Sequence, residues 1–300
     1  MRYERLEQTP GISKNTIVSV KYLGKTTEIT FSSMFNNCRP HILKIDAKRY
    51  VDMDSGEIKT FKVREDEVKD TRLASPESLR KTLKKVRELV QTNVTDSQRV
   101  RWCTLTYREN MTDTKRLYED LRKFFQRLQY YCKAKGYGKF EYIGVCEPQG
   151  RGSFHMHVFL IWEKRAPYID NEAFREIWGR GFVKITALDD IDNIGGYFQS
   201  YLTDLEIPDE KIEYFNSEHV KTVTTGNKEK RFIKGARLHM YPKYFNILRH
   251  SRGIKKPEKE IMTYEEALKK VSGKKLCYKN AFALMTDDGF QLTVSKEEYR

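Results

Sequence analysis

The chain has 300 residues, 39% of them hydrophobic, and a formal net charge of +14, with 56 Lys and Arg against 42 Asp and Glu. This length allows one large domain or two small ones with a real core, and the positive charge favours a polyanionic partner, nucleic acid before membrane. No apolar run approaches the roughly 20 residues that span a bilayer, so we expect no membrane partner. The five cysteines are scattered and form no C-x-x-C pair, which excludes a disulfide framework and a zinc finger and fits the cytoplasm.

The N-terminal part predicts β-strands followed by one helix. The runs NTIVSVKY and TEITF flank a turn at 23–25, and HILKIDAKRYVDM and EIKTFKV flank a turn at 54–56. A helix begins at Ser75 and Pro76 with Ser75 as its N-cap, and its apolar stripe continues to Val90. The opposite face of this helix is basic, which suits DNA contact as well as plain solvation. Residues 91–98 are polar and predict a linker.

The middle of the chain gives the sharpest pattern. A strand at 101–107 precedes a long amphipathic helix at 112–135 that ends near Gly136. Two strands follow at 141–162, joined by a Gly-rich turn at 149–152. A helix at Asn171–Trp178, a strand at 181–188 and a further helix from Asp189 complete the series. The order β-α-β-β-α-β predicts an α+β fold with a ferredoxin-like, split βαβ antiparallel sheet.

We therefore predict three segments. Residues 1–95 form a β-rich part plus the basic helix, a candidate DNA-binding segment, and residues 96–205 form the catalytic domain. Residues 206–300 form a basic, aromatic extension that is a candidate for origin binding, with a loop-rich stretch at 206–231. Basic residues alternating with Tyr and Phe suit a strand that grips phosphates and stacks bases, or one that packs its aromatic rings inward.

The hairpin at 141–162 carries a candidate metal site. His155 and His157 are two residues apart, so the strand period of two directs both imidazoles to one face of the sheet. Folding the hairpin about Arg151 brings Glu147 opposite His155 on that same face. Two imidazoles and a carboxylate on rigid strands predict a three-ligand metal site with open positions.

A pair of tyrosines offers candidate nucleophiles. Tyr197 and Tyr201 are four residues apart, which places both phenols on one helix face. Such a spacing alone is more often core packing. Beside a metal site it gains a use, because a phenol, with an ordinary pKa of about 10, is a poor nucleophile at neutral pH unless a metal assists.

Three motifs together resemble a known family. The segments Thr104–Tyr107, Gly152–His157 and Tyr197-x-x-x-Tyr201 resemble, in this order, the motifs of rolling-circle replication initiators of the HUH endonuclease superfamily, in particular the two-tyrosine plasmid and phage type. The stretch SRGIKKP near Ser251 also resembles the C-terminal part of that group.

This resemblance implies an enzyme that nicks one origin strand by tyrosine attack, forms a 5′-phosphotyrosine, leaves a free 3′-OH and later rejoins the strand. It implies Mg²⁺ or Mn²⁺ as cofactor, held by His155, His157 and Glu147, with Tyr197 and Tyr201 as nucleophiles. It also implies as partners origin DNA, duplex and as a single-stranded hairpin, and the host helicase and DNA polymerase.

The sequence departs from the family pattern beside the tyrosines. The family often places a lysine three residues after each tyrosine, where this chain has Ser200 and Asp204. Either Lys184 or Arg151 supplies the missing cation, or one tyrosine is less active than the other. The cations that we predict to contact DNA are Lys184, Arg151, Arg237, Arg249, Arg252, Lys255 and Lys256.

Two other functions remain open at this point. A relaxase or single-strand transposase of the same superfamily would use the same chemistry, although relaxases usually place their tyrosines before the histidines. A non-catalytic origin-binding repressor is the second alternative, and the intact histidines and tyrosines argue against it.

Overall fold

A computed structural model describes residues 3–6, 11–33, 42–46, 48–53, 55–60, 76–149, 151–188, 205–207, 220–225, 228–233, 240–242, 245–286 and 291–300. The chain forms two compact units. One comprises Met1–Tyr22, Thr26–Val68 and Glu258–Arg300, and the other comprises Leu23–Lys25 and Lys69–Pro257. This division differs from the predicted boundaries after residues 95 and 205, because the two ends of the chain share one unit.

The first unit is built on a six-stranded antiparallel sheet. Its strands are β1 (Tyr3–Leu6), β2 (Ile17–Leu23), β3 (Thr26–Ser32), β15 (Glu258–Thr263), β16 (Leu276–Thr286) and β17 (Gln291–Tyr299). They lie in the order β1-β16-β17-β3-β2-β15. Buried Val18, Val20 and Ile29 pack with Ala267 and Val271 in its core. The predicted small β-rich tail is therefore an integral part of an N-terminal sheet.

A second sheet of this unit contains β4 (Ile42–Lys44), β5 (Arg49–Asp52) and β6 (Ile58–Thr60). The sequence HILKIDAKRYVDM, treated as one run in the prediction, is divided here into β4 and β5. Asp46 causes the break, since its carboxylate accepts hydrogen bonds from the backbone N–H groups of Lys48 and Arg49, both at 2.8 Å.

The second unit contains a five-stranded antiparallel sheet, which we call the central sheet. Its strands are β7 (Val100–Tyr107), β8 (Phe140–Pro148), β9 (Phe154–Trp162), β10 (Gly181–Ala187) and β14 (Leu248–His250). The strand order is β10-β7-β9-β8-β14. Since β9 is antiparallel to both β7 and β8, these two strands run parallel with β9 inserted between them.

Four α-helices lie in the described residues: α1 (Pro76–Asn93), α2 (Thr114–Ala134), α3 (Asn171–Trp178) and α4 (Tyr264–Lys270). Helix α2 begins where Asp113 accepts from the N–H groups of Lys115 and Arg116. Helix α3 ends at Gly179 in the left-handed region, with φ of 64°. None of the described helices is long and apolar enough to cross a membrane.

Helix α1 is longer than predicted. It continues through residues 91–93, and Val94 is buried beyond its end. The predicted polar linker at 91–98 is thus wrong, because Val94 belongs to the same apolar stripe as Val86 and Val90, all of which are in the core of the second unit. A short 3-10 helix, Ser97–Arg99, leads directly into β7.

The loop-rich stretch predicted at 206–231 is also only partly correct. The described part forms a three-stranded antiparallel sheet of β11 (Leu205–Ile207), β12 (Val220–Thr225) and β13 (Lys228–Ile233) in the order β11-β13-β12. A high charge content obscured the strands, since apolar alternation is the main sequence signal for them.

Helices α2 and α3 cover one face of the central sheet with aromatic side chains. The ring of Phe124 packs edge-on against Phe174 and Trp178, and Trp178 packs edge-on against Tyr107 of β7 at 5.1 Å between ring centroids. The indole N–H of Trp178 donates to the backbone oxygen of Thr106 at 3.1 Å. This face is closed by core packing, so any site on the sheet must use the other face.

A buried carboxylate connects these elements. Asp120 of α2 is 3% exposed; it accepts from the hydroxyl of Tyr107 at 3.1 Å and from Nε and Nη2 of Arg180, both at 3.0 Å. Burial, followed by the charge of Asp120, raises the pKa of the Tyr107 hydroxyl well above its ordinary value.

We expect Asp120→Ala to lower the free energy of unfolding by about 2 kcal/mol, since it leaves buried donors without an acceptor. The loss stays below that of a fully buried pair because the side chain of Arg180 is 37% exposed. Urea unfolding measures it, and Glu172→Ala is the matched control, since the Glu172–Arg175 pair of α3 is exposed. Equal losses in the two variants would contradict a special role for Asp120.

Candidate metal centre

The predicted ligand triad assembles on two adjacent strands of the central sheet. Glu147 of β8 lies directly opposite His155 of β9, and Val145 lies opposite His157. Residues directly opposite in an antiparallel pair share a face, so Glu147, His155 and His157 point to the same side, which we call the histidine face. The predicted placement of Glu147 opposite His155 is confirmed.

The three side chains converge on one point. Nε2 of His155 contacts Oε1 of Glu147, and Nε2 of His157 lies 3.3 Å from the same oxygen. The ring centroids of the two histidines are 4.7 Å apart. One ligand atom from each of the three residues lies within 4.8 Å of the others, the only such cluster of His, Cys, Asp or Glu in the described residues.

Burial and charge make Glu147 a permanent carboxylate. Glu147 is fully buried, His157 is 2% exposed and His155 is 8% exposed. Burial by itself raises the pKa of the Glu147 carboxyl, but hydrogen bonds from His155 and His157 overcome it and hold this pKa at about 2. The stabilisation from these bonds is present above the ordinary carboxyl pKa and is lost only as the pH falls towards 2.

This donor set fits a divalent cation. Two imidazole nitrogens and a carboxylate oxygen leave open coordination positions for water or substrate, and such mixed N and O sets bind transition metals such as Mn²⁺. The neighbouring Cys146 is no candidate ligand, because it alternates to the opposite face. Burial also raises the pKa of its thiol to about 12, so it stays protonated at neutral pH.

Thr104 orients one of the histidines. Its position on β7 is opposite His157, and its hydroxyl oxygen lies 3.1 Å from Nδ1 of that residue. For Nε2 of His157 to bind a cation, the imidazole hydrogen must sit on Nδ1, from which it donates to the hydroxyl of Thr104. Thr104 belongs to a recognised motif, but no sequence pattern indicates this contact, because it depends on the register between β7 and β9.

We expect Thr104→Val, which keeps the side-chain shape and removes the hydroxyl, to weaken the binding of Mn²⁺ by about 10- to 100-fold. Titration of Mn²⁺ followed by electron paramagnetic resonance measures this affinity. Thr186→Val is the matched control, because Thr186 is an exposed threonine of β10 opposite Trp102 on the same sheet. An unchanged affinity in Thr104→Val would show that the contact does not orient the ligand.

The turn of the hairpin connects to the other histidine. The side-chain amide nitrogen of Gln149 lies 3.4 Å from Nδ1 of His155, and Nε of Arg151 donates to the amide oxygen of Gln149 at 3.2 Å. Arg151 also donates to the backbone oxygen of Tyr107 at 3.3 Å. The predicted cation Arg151 therefore lies one residue away from the metal centre, with Gln149 between them.

The other predicted cations fall into two groups. Lys184 of β10 is opposite Thr104, so it lies on the histidine face, and its side chain is exposed. Arg249 of β14 is opposite Gly144, which alternates to the other face, and its guanidinium lies 3.6 Å above the ring of Tyr118 on α2. Arg249 is therefore not part of the metal centre.

Three further cations follow β14 and are exposed: Arg252, Lys255 and Lys256. The backbone of Lys255 is held at the end of α1, because it exchanges two hydrogen bonds with the side chain of Asn93, at 2.8 and 2.9 Å. Arg237 and both tyrosines, Tyr197 and Tyr201, lie outside the described residues. The DNA-binding roles of all these cations stay predictions.

Comparison with known families supports the same region. The family model described as replication-associated protein ORF2 matches residues 100–206. The matched segment contains the metal centre and, near its end, both tyrosines. No curated protein and no solved structure matches the chain.

Proposed function

We propose that this protein initiates rolling-circle DNA replication by nicking one origin strand through tyrosine attack. The observation that carries the proposal is the buried Glu147–His155–His157 cluster inside a segment that matches a replication-associated family. The strand order of β7 to β10 agrees with this proposal. With helices α2 and α3 as crossovers, it corresponds to the ferredoxin-like core expected of an HUH endonuclease of the two-tyrosine type.

The metal centre would act on the scissile phosphate. His155, His157 and Glu147 would hold Mg²⁺ or Mn²⁺, and a cation bound there neutralises phosphate charge and favours in-line attack on phosphorus. The phenol oxygen of Tyr197 or Tyr201 loses its proton and forms a bond to phosphorus. The bond from phosphorus to O3′ breaks, and O3′ takes up a proton to become the free 3′-OH.

The resulting 5′-phosphotyrosine keeps the bond energy of the phosphodiester. A free 3′-OH serves the host DNA polymerase as a primer, and a host helicase is the expected partner because the sequence contains no G-x-x-x-x-G-K-[ST] loop for hydrolysing ATP. Attack of a 3′-OH on the phosphotyrosine reverses the first step and rejoins the strand. The second tyrosine can then make the second transfer.

A capture experiment tests the proposal and does not require the origin sequence. The purified protein is incubated with Mn²⁺ and fragments of the DNA neighbouring its gene, in single-stranded and supercoiled form, and then denatured. We expect DNA covalently attached to protein through a 5′ end, a free 3′-OH on the partner end, and no product in EDTA. Specific binding of a fragment without any cleavage would instead support the repressor.

A further inference from the structure

Phe182 is a large apolar side chain that the central sheet leaves in solvent. It is 65% exposed, whereas Val183 and Ile185 on the same strand pack against the core. The alternation of β10 therefore directs Phe182, Lys184 and Thr186 to the histidine face. A single exposed apolar residue needs no explanation, but the position of this one does.

Strand register places Phe182 in line with the metal ligands. Phe182 is opposite Thr106, Thr106 is opposite His155, and His155 is opposite Glu147. With adjacent strands about 4.8 Å apart, Phe182 lies about 10 Å from His155 across the sheet. One strand of a duplex advances about 3.4 Å per nucleotide, so this distance corresponds to about three nucleotides or fewer.

A cation accompanies the ring. Lys184 is exposed and follows Phe182 by two residues, so both point to the same side, and it stands in the next row opposite Thr104 and His157. Strand β10 is also the outer strand of the central sheet within the described residues, which leaves this side of the face open. An aromatic ring beside a lysine is the combination with which proteins bind single strands, the ring stacking on a base and the cation contacting phosphate.

We propose that Phe182 is a positioning residue that stacks on a base flanking the scissile phosphate, with Lys184 contacting the adjoining backbone. This inference rests on the proposed function, because it takes the metal centre as the place of cleavage. Stacking tolerates any base, so Phe182 fixes the path of the strand and does not read its sequence. The single strand then crosses the sheet from β10 towards Glu147.

The test measures binding in EDTA, where cleavage cannot occur. The probe is a fluorescein-labelled, random-sequence DNA single strand of about 16 nucleotides, the upper site size of single-strand-binding folds, and the readout is fluorescence anisotropy. We expect Phe182→Ala and Phe182→Leu to weaken binding by about 5- to 100-fold, and Phe182→Trp to bind like the unchanged protein. Tyr130→Ala is the control, since Tyr130 is 76% exposed but lies on α2, at the covered face.

Salt dependence separates the two contacts. Phe182→Ala should keep the slope of log affinity against log salt, whereas Lys184→Gln should reduce it by about one, the value for one lost phosphate contact. Unchanged affinity in Phe182→Ala, or affinity retained in Phe182→Leu, would overturn the stacking role. A change in oligomeric state without a change in DNA affinity would overturn it as well.

The outcomes also distinguish this inference from the proposed function. If the unchanged protein forms the covalent adduct but Phe182→Ala binds normally, the inference fails and the proposed function stands. If no adduct forms while Phe182→Ala weakens binding, the stacking contact stands and the nicking activity fails.

Discussion

Replacing His155 and His157 by alanine is expected to abolish cleavage of single-stranded origin DNA, with a loss of at least about 10³-fold, or roughly 4 kcal/mol of barrier. The two imidazoles are two of the three ligands gathered around one point of the histidine face. Without them the developing charge on the phosphate loses its main counter-charge. Binding of duplex DNA should persist, because Lys and Arg contacts to phosphates carry that affinity.

The control for this double variant is His250→Ala. His250 belongs to β14 of the same sheet, and its Nδ1 lies 2.9 Å from the backbone oxygen of Ser251, away from the cluster. A second readout is independent of cleavage: Mn²⁺ should raise the melting temperature of the unchanged protein and of His250→Ala, but not that of the double variant. Normal cleavage by the double variant with Mg²⁺ or Mn²⁺ would refute the metal assignment.

Glu147→Gln tests the charge separately from the shape. The amide keeps the size of the side chain but removes the carboxylate that both imidazoles contact. We expect it to weaken Mn²⁺ binding strongly while the sheet stays folded, since a neutral amide oxygen is a poorer ligand than a carboxylate. Thermal shifts with increasing Mn²⁺ measure both effects in one experiment.

The metal centre was predictable because every signal for it is local. His155 and His157 differ by the strand period, and a short Gly-containing turn fixes the register that brings Glu147 opposite His155. Helix α3 is an equally local case. Its observed bounds, Asn171–Trp178, equal the predicted ones, because Gly179 supplies the left-handed residue that ends it.

The pairing of the two chain ends could not be predicted in the same way. Strand β2 pairs with β15 and strand β3 pairs with β17, so strands from opposite ends of the sequence form one sheet. Each strand has a recognisable pattern, but alternation shows only that a strand has a buried face. It carries no information about which distant strand becomes its neighbour.

The position of Phe182 was hidden for a related reason. In sequence, GFVKITAL has the pattern of a strand with apolar residues on both faces, and the exposed ring looks like another core residue. Only the registers of β10 with β7 and of β7 with β9 place Phe182 in the row of His155. The row is a property of the assembled sheet.

The tyrosine pair has the second of the two largest expected effects. We expect Tyr197→Phe to lower nicking by at least about 10³-fold, roughly 4 kcal/mol of barrier, while the fold persists because only a hydroxyl is lost. Tyr197 lies nearer the start of the helix predicted from Asp189, where backbone N–H groups favour a phosphate and a phenolate. Tyr201→Phe should leave the first nick largely intact and impair the second transfer, which releases a closed circle.

Mapping the covalent adduct decides between the two tyrosines. The protein is trapped on a labelled single-stranded oligonucleotide that contains the nick site, digested, and the modified residue is identified by mass spectrometry. Tyr168→Phe, at a tyrosine that is 79% exposed, serves as the control for loss of a phenol hydroxyl elsewhere. An adduct on Tyr201 alone would exchange the two roles, as the missing lysines at Ser200 and Asp204 allow. Cleavage that leaves an adduct on neither tyrosine would rule out tyrosine attack and require water or another side chain as the nucleophile.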